Sequence, residues 1–336
     1  MGSEDSNTDP APNRSTADDA ATPDDGSAAP GDPSTLRNIM LTMAYDGSGY
    51  RGWQVQPNGD TVQARLESAI HSLTGETLRV FCAGRTDSGV HALGQVASFK
   101  TRSKIAAGQF RRGLQRFLPP DVTVIAAREV HAQFHATFSA VRKRYRYLLD
   151  DGYVSSPFLR GKVTTLRQRL NVAAMQQAVP HLLGRHDFRC FETQWPNKAT
   201  SVRTIMEAAI TRIPHWSMWN ARGGWIPTDP RAHEDLNSPL ICFEIMADGF
   251  LYNMVRAIVG TLLEVGTGRQ PPEYVRDVIR SLDRGTAGST APADGLYLMQ
   301  VDYPEILMDP LADIPPDTYR PPDSPPPAAP SSFPEK

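Results

Sequence analysis

The chain has 336 residues, of which 40% are hydrophobic and 21% charged, and its formal net charge is −2. This length allows one large domain or two modest ones, and three widely spaced cysteines without CxxC spacing exclude a recognisable zinc site. The acidic N-terminus has no apolar run, and charged residues interrupt the longest apolar stretch, near 250–265. Neither a signal peptide nor a membrane-spanning helix is therefore expected, which favours a cytoplasmic protein.

The first predicted elements alternate strands with helices. Asp60-Thr-Val-Gln63 is typical of a capping box that opens a helix, and Gly75 is the expected end of that helix. A second helix, over about 104–117, is expected to stop at Pro119-Pro120. Strands are predicted, in chain order, at 36–44, 77–83, 95–100, 122–131 and 137–149.

The second half of the chain has a similar outline. Helices are predicted near 171–184, 250–265 and 272–283, and strands near 202–213, 240–248 and 295–303. Residues 214–239 have the composition of a long loop, and loops of that length are usually functional or disordered. The mixture of paired strands and interspersed helices predicts an α+β fold with an antiparallel sheet.

The two ends differ from the rest in composition and charge. Residues 1–34 hold eight acidic residues and one arginine, and the Pro-rich residues 305–336 hold six acidic and two basic residues. Both segments have too little apolar surface to offset the entropy of ordering and are predicted to be disordered. Because the whole chain carries −2, residues 35–304 carry +9. This basic body suits a polyanionic partner, although charge alone fits a merely soluble surface equally well.

The loop GRTDSGVHALGQ is the most informative stretch. It places Arg85, Asp87 and His91 among three glycines, which allow a backbone to approach a ligand closely. A guanidinium two residues away favours an ionised, outward-facing Asp87. The alternative is a structural turn in which Asp87 caps the backbone and pairs with Arg85. His91 fits a structural hydrogen-bonding role better than a catalytic one.

Two further segments carry candidate site residues. In Val141-Arg-Lys-Arg-Tyr-Arg-Tyr147, strand geometry places Lys143, Tyr145 and Tyr147 on one face and three arginines on the other. Basic residues interleaved with aromatics suit unpaired RNA, because rings stack on bases for about 1–3 kcal/mol each. The alternative is an edge strand with its tyrosines in the core and its arginines in water.

The segment FLYNMVRAIVGTLLEVG, residues 250–266, has the apolar stripe of a buried helix, which Arg256 interrupts. A buried guanidinium requires a partner, and Asp87 is the obvious candidate. A surface arginine that reaches water along its aliphatic stem is the alternative. Gly260, one turn further on, would let another backbone approach. Taken together, these segments fit base chemistry on RNA and fit a plain RNA-binding module too.

The sequence resembles the tRNA pseudouridine synthase A family from Asn38 to Pro304. The matching blocks are YDGSGYRGWQ, TVQARLESAI, CAGRTDSGVHALGQVASF, FLPPDV, FHATFSAVRKRYRY, GRHDFRCF, ADGFLYNMVRAIVGTLLEVG and APADGLYL. The resemblance implies that Asp87 is the essential aspartate and that Arg85 accompanies base flipping. It also implies that Tyr145 stacks on the target uracil, that Arg256 pairs with the aspartate, and that Leu298 is an apolar wall of the pocket.

The resemblance also implies a fold and a reaction. The expected fold is two similar α/β halves, 35–146 with the catalytic loop and 147–304, sharing a central antiparallel sheet with flanking helices and a basic cleft. The expected reaction is the isomerisation of uridine to pseudouridine at positions 38, 39 and 40 of the tRNA anticodon stem-loop, by a homodimer without metal or cofactor. The alternatives are a catalytically silent tRNA-binding protein of the same fold and a nucleoside hydrolase acting through Asp87.

Three positions depart from the family pattern. Thr137 stands where the family usually has arginine, Ser88 where it has alanine, and Gln115 where it has asparagine. None of these three positions is a predicted catalytic residue. Thr137 and Gln115 are the two departures that are expected to alter RNA contacts. The loop at 214–239 is longer than is usual in the family.

Overall fold

A mixed sheet forms the centre of the computed structural model, which describes residues 36–57, 59–193, 200–213 and 238–314. In these residues the sheet has ten strands, eight of which form the path β4-β1-β3-β10-β5-β9-β8-β7. The strands are β1 (Arg37–Tyr45), β2 (Phe81–Cys82), β3 (His91–Thr101), β4 (Val122–Val130), β5 (Arg142–Asp150), β6 (Thr164–Thr165), β7 (Gly184–Asp187), β8 (Val202–Arg212), β9 (Leu240–Ala247) and β10 (Leu296–Asp302).

Strand β10 joins the strands of the first part of the chain to those of the second. It pairs with β3 in parallel, with Leu298 opposite Ala92, and with β5 in the antiparallel direction, with Leu298 opposite Tyr145. All other neighbours along the eight-strand path are antiparallel. The expected antiparallel sheet is therefore present, with one parallel junction at its centre. The division into halves at 146/147 stays a prediction.

The described residues contain five α-helices. They are α1 (Val62–Thr74), α2 (Ala107–Gln115), α3 (Val172–Ala178), α4 (Met254–Gly266) and α5 (Tyr274–Ser281). The side chain of Thr61, not that of Asp60, caps α1 by accepting a hydrogen bond from Ala64 N at 3.4 Å, and Gly75 ends the helix with a left-handed φ of 76°. None of the helices in the described ranges is long and apolar enough to cross a bilayer.

Helix α4 lies deepest among the helices, with ten of its thirteen residues buried. A Cβ on Gly260 would fall 1.7 Å from the carbonyl oxygen of Ser289. The loop that precedes β10 therefore lies directly against the helix backbone, as the position of this glycine predicts. The same loop carries Ala291, whose amide donates to the carbonyl of Arg256 at 3.1 Å.

Two predictions about ordered segments are wrong in part. In the predicted strand 77–83, Phe81–Cys82 alone pairs with β3, so most of that segment is irregular. The segment 305–336 was expected to be disordered throughout, yet Glu305–Met308 forms a 3-10 helix and Leu307 is fully buried. Leu307 shares a buried cluster with Met40 and Val130 of the sheet and with Phe134 of the connection after β4, and this contact supplies the apolar burial that composition did not reveal.

Other predicted features lie outside the described residues. These are the acidic segment 1–34, nearly all of the 214–239 loop, and the Pro-rich chain after residue 314. The three cysteines lie within the described part and are free and buried.

Candidate active site

Asp87 lies on the loop between β2 and β3, and the segment that contains Gly52 and Trp53 holds this loop in place. The amide of Trp53 donates to the carbonyl of Thr86 at 2.9 Å. Gly52 makes this approach possible, because it has a φ of +84° and a Cβ there would fall 2.6 Å from the Thr86 oxygen. The loop backbone therefore has a fixed position directly before the aspartate.

Arg256 on α4 pairs with Asp87. Its Nη1 lies 3.4 Å from Asp87 Oδ2, with 18% of the arginine side chain and 28% of the aspartate side chain exposed. The same guanidinium donates through Nε to the carbonyl of Ala291 at 2.7 Å and through Nη1 to Asn253 Oδ1 at 2.8 Å. The structure thus brings together two residues that are 169 positions apart, in the arrangement that the sequence predicts.

The electrostatics of Asp87 differ from the expectation. Burial raises the pKa of this carboxyl above its ordinary value, and the charge and hydrogen bond of Arg256 offset part of the increase. The ion pair between Arg85 and Asp87 that the structural alternative requires is absent from the described residues, where Arg85 is exposed and the cation beside Asp87 is Arg256. Asp87 is consequently a partly desolvated carboxyl facing a single guanidinium.

Tyr145 and Leu298 form a buried pair on adjacent strands. They lie opposite each other in the β5–β10 register, and 9% and 0% of their surfaces are exposed. The ring of Tyr145 packs edge-on against Phe250, with centroids 5.0 Å apart. Burial, and then the charges of neighbouring groups that include Asp87, raise the pKa of the Tyr145 phenol, so the hydroxyl keeps its proton at neutral pH.

Both interpretations of the sequence required accessible arginines on β5, but only Arg142 is exposed, and Arg144 and Arg146 are mostly or fully buried. The strand is central, and Arg146 forms a buried ion pair with Glu244 on β9. Arg144 pairs with Glu207 at 2.8 Å. Glu207 and Glu244 therefore neutralise these two arginines, which makes both less available to bind phosphates. Strand alternation gave the correct faces, but it could not show which carboxylates lie across the register.

Three other residues considered from sequence have structural partners. His91 is buried with its ring stacked on Tyr297, 4.6 Å between centroids, which agrees with the structural interpretation. Gln115 holds α2 to β4 by donating to Val122 O at 2.9 Å and accepting from Val124 N at 3.1 Å. Thr137 donates to the carbonyl of Cys82 at 2.6 Å, so it holds the strand that leads into the Asp87 loop.

Sequence reasoning missed the groups that orient Arg256. Asn253 has a left-handed φ of 58° at the start of α4, and its amide oxygen accepts from the guanidinium while its nitrogen donates to Thr193. The spacing of three residues between Asn253 and Arg256 was a usable signal, since such residues lie on one helix face. The carbonyl of Ala291 left no signal, because it comes from the backbone of a distant loop.

Comparison with known proteins identifies the family. Residues 41–139 and 178–304 match the family described as tRNA pseudouridine synthase. A protein of Acetivibrio thermocellus named tRNA pseudouridine synthase A is 43% identical over 268 residues, which cover 80% of this chain and 100% of that protein. Proteins of the same name from Roseiflexus castenholzii and Moorella thermoacetica are each 41% identical, over 80% and 79% of this chain and 92% and 99% of their own lengths. The chain therefore belongs to the tRNA pseudouridine synthase family.

Proposed function

We propose that this chain isomerises uridine to pseudouridine in tRNA, with Asp87 as its catalytic carboxylate and positions 38, 39 and 40 of the anticodon stem-loop as its targets. The observation that carries the proposal is the partly buried Asp87 held against Arg256, in a chain whose relatives are named for this reaction. The reaction requires no redox change and no phosphoanhydride.

The proposed reaction begins with a base that has left the stack. Flipping costs a few kcal/mol, which phosphate contacts and stacking on aromatic side chains offset. Arg85, which is exposed on the same loop as Asp87, is proposed to accompany the flipped nucleotide. Tyr145 and Leu298 are proposed as the aromatic and apolar walls that contact the uracil.

Asp87 then acts so that the bond between C1′ and N1 breaks. The freed uracil turns, C1′ joins C5, the C5 proton leaves to solvent, and N1 gains a proton. Both attack on C1′ and abstraction of a sugar proton use the ionised carboxylate, which Arg256 favours. The assignment of Asp87 is therefore the same for either route.

The alternatives have less support. A silent tRNA-binding protein would have no need of the Asp87–Arg256 pair, which is intact. A nucleoside hydrolase would release free uracil, and hydrolysis by paired carboxylates requires a second acid close to the first. No described carboxylate other than Asp87 forms an ion pair with Arg256.

Tritium release tests the proposal. The purified protein is incubated with unmodified tRNA carrying tritium at uridine C5, without cofactor, beside an Asp87→Asn variant. We expect release from the wild type, no release from the variant, and nearly unchanged tRNA binding in the variant. Tight binding by the wild type without release would contradict the proposal, and free uracil would favour the hydrolase.

Two finer parts of the proposal have separate tests. Replacing uridines 38, 39 and 40 one at a time identifies the positions served, and release that persists when all three are replaced would contradict that target set. The homodimer is measured by sedimentation of the full chain with and without tRNA, where a monomer in both conditions would argue against it.

A further inference from the structure

A buried chain of side-chain hydrogen bonds lies beneath the Asp87 loop. Tyr45, Thr86 and Gln95 are 4%, 6% and 0% exposed. The Tyr45 hydroxyl lies 2.8 Å from Thr86 Oγ1, and Gln95 Nε2 lies 3.2 Å from the Tyr45 oxygen and 2.9 Å from the carbonyl oxygen of Gly84. Tyr45 ends β1 and Gln95 lies within β3, so both anchors come from the rigid sheet.

The amide of Gln95 uses both its hydrogens and its oxygen in this chain of hydrogen bonds. The amide nitrogen of Gln95 has two hydrogens and uses one on Gly84 and one on Tyr45, while its oxygen accepts from Val96 N at 3.2 Å. The Tyr45 oxygen accepts from Gln95, and the Tyr45 hydroxyl shares a hydrogen bond with Thr86 Oγ1 in which either oxygen can be the donor. Every polar group of the two anchors is used, which fixes their orientation.

The contacts fall on both sides of Arg85. Gly84 and Thr86 are its two chain neighbours, and Asp87 follows Thr86. Arg85 is exposed and forms no ion pair with another described residue, so its own side chain does not hold the loop. The loop also contains Gly84 and Gly89, which add backbone freedom that something outside the loop has to restrain.

We propose that Tyr45 and Gln95 are positioning residues that fix the backbone on either side of Arg85 and thereby aim Arg85 and Asp87 at the flipped nucleotide. The inference rests on the proposed function, because it concerns the geometry of that same site. Small displacements of a reacting group greatly reduce rate even when binding is retained. Loss of the Tyr45 hydroxyl therefore lowers the rate of the chemical step more than it lowers tRNA affinity.

The first test compares two buried tyrosines. Tyr45→Phe removes the central hydroxyl of the chain, and Tyr297→Phe is the matched control, since Tyr297 is 2% exposed and donates to Lys162 O at 2.6 Å. The readouts are the single-turnover rate of tritium release with saturating enzyme, the tRNA Kd and the Tm. We expect Tyr45→Phe to lose about tenfold or more in rate, with nearly unchanged Kd, while Tyr297→Phe lowers Tm comparably and keeps its rate.

A second pair of variants keeps the test informative if Tyr45→Phe folds poorly. Thr86→Ser retains the hydroxyl and Thr86→Val keeps the shape without it. We expect the serine variant to keep the rate and the valine variant to lose it. The double variant Tyr45→Phe/Thr86→Val is expected to lose no more than Tyr45→Phe alone, because the Tyr45–Thr86 hydrogen bond that Thr86→Val removes is already absent in Tyr45→Phe.

Three outcomes would overturn the inference. Tyr45→Phe and Tyr297→Phe could lose rate equally, or the rate lost by Tyr45→Phe could equal the fraction of that variant that is unfolded. Equal rate losses in Thr86→Ser and Thr86→Val would also contradict it. These outcomes require an active wild type. Absence of release from the wild type is a different result, which contradicts the proposed function itself.

Discussion

Arg256 divides one guanidinium among three acceptors on different elements. Its contacts to Asp87, Asn253 and the carbonyl of Ala291 leave the side chain little freedom, and the contact to Asp87 is the longest of the three. The two shorter contacts, to Ala291 and Asn253, therefore hold the guanidinium more closely than its contact to Asp87 does. A residue at this position serves both as a counter-charge and as a link between α4 and the loop before β10.

Arg256→Lys is expected to be severe. An ammonium is a point charge without the planar fork, so it cannot reach all three acceptors at once. The single-turnover rate should fall by about 100-fold, and Tm should fall as well because the Ala291 carbonyl loses its donor. Rate and Tm are measured together, and normal turnover in this variant would refute a role for the pair.

The pH dependence of the rate follows from the pKa of Asp87. Burial raises this pKa, so the rate should decline on acidification at a pH above the ordinary range of aspartate, as the carboxylate takes up a proton. Arg256 lowers the pKa, so Arg256→Gln should move the acidic limb to still higher pH. Arg276→Gln, on the exposed face of α5, is the control and should leave the limb in place. A limb that moves to lower pH in Arg256→Gln would contradict the assignment.

At the level of elements, the close contact of α4 with the loop before β10 sets the site. Gly260 permits it, and an added Cβ would fall 1.7 Å from the backbone oxygen of Ser289. The Ser289 oxygen belongs to the backbone, so it cannot rotate away from an added Cβ as a flexible side chain would. The helix and the loop would have to separate. Ala291, two residues further along the chain, would move with the loop.

Gly260→Ala is therefore expected to lower the free energy of unfolding by about 3 kcal/mol and to slow turnover of the folded fraction. Gly108→Ala in α2 is the matched control, because a Cβ there meets no atom within 4 Å and alanine favours a helix. Urea unfolding measures both variants. Equal stability of the two would show that the helix–loop contact is looser than described.

Periodicity and glycine placement correctly predicted those elements that depend on local sequence alone. Helix α1 ends at Gly75 as expected, and the apolar stripe of α4 is buried, while Arg256, Leu263 and Glu264 are the residues of this helix that are not fully buried. The sequence could not predict contacts that depend on register. Glu244 neutralises Arg146 because β9 lies beside β5, and no spacing within either strand reveals that pairing. The Asp87–Arg256 pair was predictable because a buried charge requires a partner and because the resemblance to the family pairs these two positions.

At the scale of the whole molecule, charge is divided between the ends and the body. The near-neutral total conceals a net of +9 over residues 35–304, which include the described part of the chain apart from 305–314. Internal ion pairs such as Arg146–Glu244 consume equal numbers of both signs and leave this excess unchanged. The excess is therefore available to attract a polyanion.

Binding of tRNA should weaken steeply with salt. Each neutralised phosphate releases counterions, so Kd is expected to rise more than about tenfold between ~50 and ~200 mM monovalent salt. Filter binding with the Asp87→Asn variant measures affinity without turnover. A Kd that is flat across this range would mean that the positive charge of the body does not contact the RNA.

Strand β10 is the last strand of the described sheet to be synthesised, yet it lies between β3 and β5. Until residues 296–302 leave the ribosome, β3 and β5 each have an edge without its final partner, and Tyr145 lacks Leu298 opposite it. Closure of the sheet thus depends on contacts between distant parts of the chain, which form slowly. We expect a chain truncated before Leu296 to expose two strand edges and to aggregate. The position of this strand therefore makes the assembly of the proposed catalytic centre a late event in the synthesis and folding of the chain.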